Sequence, residues 1–219
     1  MHNVTVAFAV LLVMLLSYFF GCFNGSFMVS HFIIRDDVRK HGSGNAGLTN
    51  FYRTYGAKYA LLVIACDMGK TVAACLLGSF FFRCLGWDGT LGTLLAGLGC
   101  ELGHIFPVFY GFRGGKGILS GGTLVLLLNW RVAAVAWALF LLLWLTTRYV
   151  SLASITATCS APITVYFVYG HNWLYTGLCL AVAALVVWCH RENIQRLLHG
   201  TEKKFKWHVN PTEGEEPPE

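Results

Sequence analysis

The chain has 219 residues, of which 56% are hydrophobic and only 12% charged, with a formal net charge of +5. A soluble domain carries about 25% charged residues, so this composition excludes an ordinary water-soluble globule and points to an integral membrane protein. The 24 glycines agree, because glycine is more frequent in membrane helices than in soluble ones.

A spanning helix needs about 20 apolar residues. The first apolar run, 4–23, has only His2 before it and Arg35, Arg39 and Lys40 after it. That pattern predicts a retained helix rather than a cleaved signal, with its N-terminus outside. Runs 59–82 and 91–110 follow. Between Gly117 and Thr147 lie two shorter runs split at Asn129–Arg131, which predict two helices joined by a tight turn. The first of them, 117–130, is short for a crossing and calls for local thinning or a buried glycine-rich extension. Runs 152–169 and 173–190 complete the set. The expected fold is an all-α integral membrane protein of seven transmembrane helices.

The cations test this count. In the seven-helix topology the inner segments 35–58, 111–116, 146–151 and 191–219 hold thirteen of the 16 Lys and Arg, and the outer turns only Arg83 and Arg131. That is the expected cytoplasmic bias. A single helix over 117–147 would make six spans and put the basic tail outside. In the tail, Ile194, Leu197 and Leu198 share one helical face, as in a short helix lying on the inner surface. The closing EGEEPPE is acidic and proline-rich, so a disordered end is expected. We divide the chain into one membrane domain, 1–204, and a tail, 205–219. The eight cysteines lie in or at the end of apolar runs without any CxxC pair. They read as small buried hydrophobes, not as disulfide or metal ligands.

Three polar segments fall on the inner side: HGSGNAGLTNFYR (41–53), GHIFPVFYGFRGGKGILSGG (103–122) and HRENIQRLLHG (190–200), with RYVSLAS (148–154) beside them. Gly42, Gly44 and Gly47 allow positive φ and inward-turned N–H groups, a nest for anions. Ser43 adds a hydroxyl and Arg53 a planar fork suited to phosphate. Gly114, Gly115 and Gly117 surround Lys116 in the same way. Two such sites suggest two phosphates or one large one. GGKG is not a nucleotide loop, because Tyr110 stands at the first glycine position and Gly117 follows the lysine. The His31–Asp36 stretch matches an HxxxxD pattern that we read as coincidence. Within spans, charged groups default to functional hypotheses. Asp67 and Lys70, one turn apart, form a candidate pair, and Glu101 and His104 lie three apart, with His104 placed to orient the Lys116 loop.

GSGNAGLTNFYR, GHIFPVFYGFRGGKG and HRENIQRLLHGTEKK together resemble, in order, the three signature segments of the bacterial acyl-phosphate:glycerol-3-phosphate acyltransferases, and TRYVSLAS is similar as well. The likeness runs from the first helix to about Lys204. Glu101 and the extended tail depart from the pattern. The resemblance implies a seven-helix enzyme of the bacterial inner membrane, N-terminus periplasmic, C-terminus and active site cytoplasmic. It implies acyl transfer from acyl phosphate to the 1-hydroxyl of sn-glycerol 3-phosphate, the first acylation of phospholipid synthesis. By that likeness Ser43, Arg53 and Lys116 correspond to glycerol 3-phosphate contacts. Ser154, with Ser151 as the alternative, faces substrate; His190 and Asn193 hold the acyl-phosphate head; and Asn45 and Thr49 shape the first loop. The catalytic set is His190, Asn193, Lys116 and Ser43, with either His190 or the donor phosphate taking the proton. No cofactor, metal, covalent acyl-enzyme or nucleic acid is expected, and membrane lipid is the surrounding partner. Two rivals stand: a transporter of a phosphorylated solute, and an acyltransferase that uses acyl-CoA or acyl carrier protein.

Overall fold

A computed structural model describes residues 2–205, and all regular structure among them is helical. The first helix, α1 (His2–Cys22), breaks at Phe23 and Asn24 and resumes as a single turn, α2 (Gly25–Met28), followed by a wider π-helical stretch, Val29–Ile34. The first span therefore extends beyond the expected 4–23. The break is local chemistry. Asn24 takes an extended backbone, and its side chain accepts from the Phe27 N–H at 2.9 Å, capping the new turn.

The remaining helices are α3 (Leu48–Tyr55), α4 (Ala60–Cys84), α5 (Gly89–Ile105), α6 (Ile118–Leu128), α7 (Trp130–Thr147), α8 (Val150–Val168), α9 (Trp173–Cys189) and α10 (Arg191–Leu198). Among the described residues, five helical stretches are long and apolar enough to cross a membrane, α9 bends by 59° into α10, and α6 is shorter. The turn at Asn129 is tighter than its sequence suggested: one residue separates α6 from α7, and its side chain accepts from the Arg131 N–H at 2.9 Å.

Helix α5 is the centre of the bundle. Its most apolar window is 72% buried, against at most 39% in the other spans. Glycines let α1 approach it closely: a Cβ at Gly99 would stand 2.5 Å from the Met14 carbonyl oxygen, and one at Gly103 would stand 2.9 Å from the Cys22 nitrogen. Leu94, Leu128, Val132, Val165 and Tyr175 fill the core at the end where α6 meets α7 and α8 meets α9. Leu11, Phe80, Leu142 and Phe167 point outward and are exposed, as a hydrocarbon surround requires. The cysteines need correction. Cys22, Cys75, Cys100 and Cys179 are buried, but Cys66, Cys84 and Cys159 are exposed; they serve as small outward-facing residues. The expected tail from residue 206 lies outside the described residues. Phe205 belongs to the body: its N–H donates to the Arg148 carbonyl at 2.8 Å and its ring stacks on Tyr52.

The expected Asp67–Lys70 pair is present and holds the first span together. The Lys70 ammonium lies 2.7 Å from Asp67 Oδ1 and donates to the carbonyls of Gly21 and Phe23, both at 3.1 Å. Those carbonyls face the helix break, where they lack their usual partners. His104 Nδ1 completes the set at 2.7 Å from Lys70 Nζ, so the ring accepts there. Asp67 in turn accepts the Gly25 N–H at 3.0 Å. Removing one member of a buried ion pair costs about 3–5 kcal/mol because the other charge is left unpaired. Lys70→Met should therefore lower the thermal midpoint in detergent substantially, and Asp67→Asn combined with Lys70→Met should recover part of the loss. A single variant as stable as the parent would remove the pair from this role.

Candidate active site

The first polar loop is built around one side chain, Asn50 of α3. Its Oδ1 accepts from the Ser43 N–H at 2.9 Å, and its amide group donates to the carbonyls of Asn45 at 3.0 Å and of Val38 and His41 at 3.1 Å. Gly42 and Gly44 have φ of 57° and 69°, as the nest reading expected. At Gly42 a Cβ would also run into Asn50 Oδ1. Gly47 is a correction: with φ −116° it is extended and serves as N-cap of α3. Thr49 sits in the first turn of α3, half-buried. The HxxxxD match forms no His–Asp pair. Asp36 binds His41 at 2.7 Å and the Tyr55 hydroxyl at 2.9 Å, while His31 stacks on Phe27.

The second loop is strapped to the end of α5. The N–H groups of Gly114 and Gly115 donate to the carbonyls of Ile105 and His104, each at 3.1 Å. His104 thus joins the buried ion network, through its ring, to the Lys116 loop, through its backbone carbonyl. Gly114 and Gly115 do not take positive φ; only Gly117, at 81°, does. Their use is close approach, since a Cβ at Gly114 would stand 2.8 Å from the Pro107 ring and 2.9 Å from the Ile105 carbonyl oxygen. The two loops touch where Asn45 Nδ2 lies 3.5 Å from the Gly114 carbonyl oxygen.

The third segment supplies an acid that the sequence reading did not single out. Glu202 accepts from Ser151 Oγ and Asn193 Nδ2, both at 2.7 Å, and from Arg196 Nε at 2.8 Å. Lys116 donates to Asn193 Oδ1, so lysine, asparagine and glutamate form one chain. Burial opposes ionisation of Glu202, yet the bonds from Arg196, Ser151 and Asn193 outweigh it and hold the carboxyl below its ordinary range. Burial and the nearby Arg196 charge push the Lys116 ammonium down. His190 caps α10 and is buried, with Nδ1 at 2.8 Å from the Val186 carbonyl oxygen. A carbonyl only accepts, so Nδ1 carries the proton and Nε2 the lone pair. Burial and the Lys116 charge push His190 down to about 4. Arg53 reaches across to the Lys203 carbonyl at 3.3 Å.

The structure thus gathers Asn45, Gly114, Gly115, Lys116, His190 and Asn193 directly, with Arg53 on the adjoining rim. Ser43 contributes its backbone N–H to the loop closure and leaves its side chain exposed. Ser151 and Ser154 are both buried, and Ser151 makes the contact with Glu202. Glu101 is fully buried beside Gly117 and Gly121, and neither carboxyl oxygen has a hydrogen-bond partner among the described residues. No group of three or more His, Cys, Asp or Glu among the described residues could hold a metal ion.

A family model described as glycerol-3-phosphate acyltransferase matches residues 11–200. The chain belongs to the glycerol-3-phosphate acyltransferase family. Relatives of that name include one from Alkaliphilus metalliredigens, 40% identical over 89% of this chain and 95% of its own, and one from Syntrophomonas wolfei, 38% identical over 88% and 95%. The crystal structure of PlsY (YgiH), an integral membrane glycerol 3-phosphate acyltransferase, in its glycerol 3-phosphate form, aligns with TM-score 0.80 and 36% identity over 90% of this chain and 96% of that one. Its lysophosphatidic acid form aligns with TM-score 0.78 and 35% identity over 90% and 95%. This acyltransferase is therefore of the PlsY type.

Asn50 is the sharpest test of the loop geometry. Asn50→Asp keeps the shape but turns a carboxylate toward three carbonyl oxygens. Acyltransferase activity should fall at least tenfold while the thermal midpoint moves by only a few degrees. Parental activity would show that Asn50 does not shape the site.

Proposed function

We propose that the enzyme transfers a fatty acyl group from acyl phosphate to the 1-hydroxyl of sn-glycerol 3-phosphate, releasing 1-acylglycerol 3-phosphate and inorganic phosphate. The observation that carries this reading is the junction of Lys116, Asn193 and His190, with Arg53 and Arg196 close by, at one end of an apolar bundle. Both substrates bear phosphate, and two groups of cations meet there. The glycerol 3-phosphate and lysophosphatidic acid forms of the related PlsY support the acceptor and product. We assign seven crossings, counting α6 and α9, with the N-terminus periplasmic and this end of the bundle on the cytoplasmic face of the bacterial inner membrane. A transporter is less well supported. Asp67 and Lys70 are buried and committed to the helix break, so they line no path.

The donor is a mixed anhydride with a good leaving group, so no covalent intermediate and no metal are needed. The 1-hydroxyl oxygen bonds to the acyl carbonyl carbon, and the bond to phosphate breaks. Lys116 and Arg53 hold the acceptor phosphate, with Ser43 and the Gly42–Gly44 turn around it. Asn193 and His190 hold the donor head, and Ser154 lies beneath. Positioning and charge stabilisation carry the rate. For the proton, a histidine lowered to about 4 is a weak base. A phosphoryl oxygen has a second pKa of about 6 and is the better acceptor. We assign the proton to the departing phosphate and give neutral His190 a positioning role.

A donor comparison tests the reaction: purified enzyme in lipid should release phosphate from acyl phosphate with glycerol 3-phosphate, and acyl-CoA or acyl carrier protein should not replace it. Arg53→Lys keeps the charge but loses the bidentate fork, so KM for glycerol 3-phosphate should rise about tenfold. An unchanged KM would take Arg53 out of the phosphate site. The proton assignment makes its own demand on the pH profile. Neutral His190 predominates well below pH 6.5, so the acid limb of kcat belongs to the donor and should persist near pH 6 in His190→Asn, at reduced amplitude. Its disappearance in that variant would return the base role to the histidine.

A further inference from the structure

Glu101 is the only acid of α5, and the mechanism above gives it no part. It is 1% exposed, and neither carboxyl oxygen has a hydrogen-bond partner among the described residues. Packing does not account for it. A buried polar group without a bond costs stability, and an apolar side chain of similar size would fill the space without that cost. Ion pairing does not account for it either. Lys70, whose charge reaches Glu101, has three N–H donors, and Asp67 and the carbonyls of Gly21 and Phe23 engage them.

The two oxygens rest instead against the start of α6. A Cβ at Gly121 would stand 3.2 Å from Oε1, and one at Gly117 would run into Oε2. This end of α6 has an electrostatic problem. Gly117, its N-cap, has no side chain to accept from the first-turn N–H groups, and that turn contains no acid. Ser120, in the same turn, does not help, because its buried Oγ has no partner among the described residues. The first N–H groups leave a helix start positive, and cations are disfavoured there. Lys116 is nevertheless the residue directly before the cap. We propose that Glu101 is a positioning residue: its carboxyl oxygens, supplied from α5, offset the positive end of α6 and so keep the Lys116 ammonium folded beside that end and directed at Asn193. The inference rests on the reading of Lys116 as a holder of the acceptor phosphate and deepens it by naming what holds the lysine. The carboxyl bonds no N–H group of the turn, so it acts through its field across the contact. The same turn is closed from its other side by α9. A Cβ at Gly117 would stand 3.4 Å from Val186 Cγ2, and the Val186 carbonyl holds the His190 ring. Glu101 thus backs the turn that sets Lys116 beside His190.

The test separates positioning from packing, because the two roles move stability in opposite directions. Glu101→Leu keeps the volume and removes an unsatisfied carboxyl, so its thermal midpoint in detergent should equal or exceed the parent's. In lipid, its KM for glycerol 3-phosphate should nevertheless rise about fivefold or more, with KM for palmitoyl phosphate within about twofold. Glu101→Gln, which keeps an oxygen toward α6, should bring KM for glycerol 3-phosphate back to within about twofold of the parent. A leucine variant less stable than the parent, or one with parental KM for both substrates, overturns the proposal. So does a glutamine variant no better than leucine. The reading of Lys116 is checked on its own by calorimetry, which needs no turnover. Glycerol 3-phosphate should bind Lys116→Met at least tenfold more weakly than the parent. Unchanged binding removes Lys116 from the acceptor phosphate. Glu101 is then judged on KM for palmitoyl phosphate, where loss with leucine and recovery with glutamine support it and a flat KM overturns it.

Discussion

The rest of the structure depends on one buried ammonium. A helix that breaks inside an apolar bundle exposes carbonyls that water cannot reach, and such groups must be satisfied from within. Here the break at Phe23 and Asn24 turns the carbonyls of Gly21 and Phe23 toward α4, and Lys70 answers both while Asp67 and His104 hold Lys70 in place. The break is useful because of what is attached to it. Asn24 donates to the Ala46 carbonyl at 3.0 Å, inside the first polar loop, and His104 carries the strap to Gly115. One ion network therefore ties together α1, α4 and α5, and through them two of the three segments that form the site.

The site itself is basic, yet it is organised by polar groups that are not basic. Lys116, Arg196 and Arg53 repel one another in a partly buried space, and without counter-charge they would spread apart. Glu202 draws Arg196, Asn193 and Ser151 into one cluster, and Asn193 brings Lys116 with it. Asn50 does the corresponding work for the first loop with one amide group. Neither residue needs to touch substrate. Each fixes the backbone or side chains around it, so the cations keep a set geometry instead of forming a mobile cloud of charge.

Much of this was legible in the sequence, and the remainder was hidden for a physical reason. Apolar run length found the helices, because the bilayer imposes a length on them. Spacing found the Asp67–Lys70 pair, because residues three apart share a helix face. The glycine-rich segments and their resemblance to a known family led to Lys116, His190 and Asn193. What escaped was side chain closing on backbone. Asn50 reads as one more polar residue, and nothing in periodicity says that it collects three carbonyls. Glu202 reads as one acid in a basic tail. Gly47, Gly114 and Gly115 looked like positive-φ positions but serve a cap and close contacts, a distinction that depends on neighbours distant in sequence. The contact of Ser151 with Glu202, 51 residues away, is of the same kind.

The short helix α6 explains why the lysine loop has the form it has. Eleven residues rise only about 16 Å, roughly half of a 30 Å hydrocarbon core. If α6 counts as a crossing, the chain before it must cover the remaining depth without helical hydrogen bonds. Irregular backbone survives at that depth only where protein surrounds and satisfies it. The segment meets this condition: Gly114 and Gly115 are bonded to the end of α5, and Phe112 donates its N–H to the Pro107 carbonyl at 2.9 Å. Side chains larger than hydrogen would force this strap away from α5. The glycines are therefore required twice, to let the backbone pair at depth and to leave Lys116 beside the end of α9. A full-length α6 would satisfy its own backbone but would carry Lys116 away from Asn193 and His190. The shortened helix thus leaves Lys116 at its start, where the ammonium meets Asn193 of the segment that follows α9.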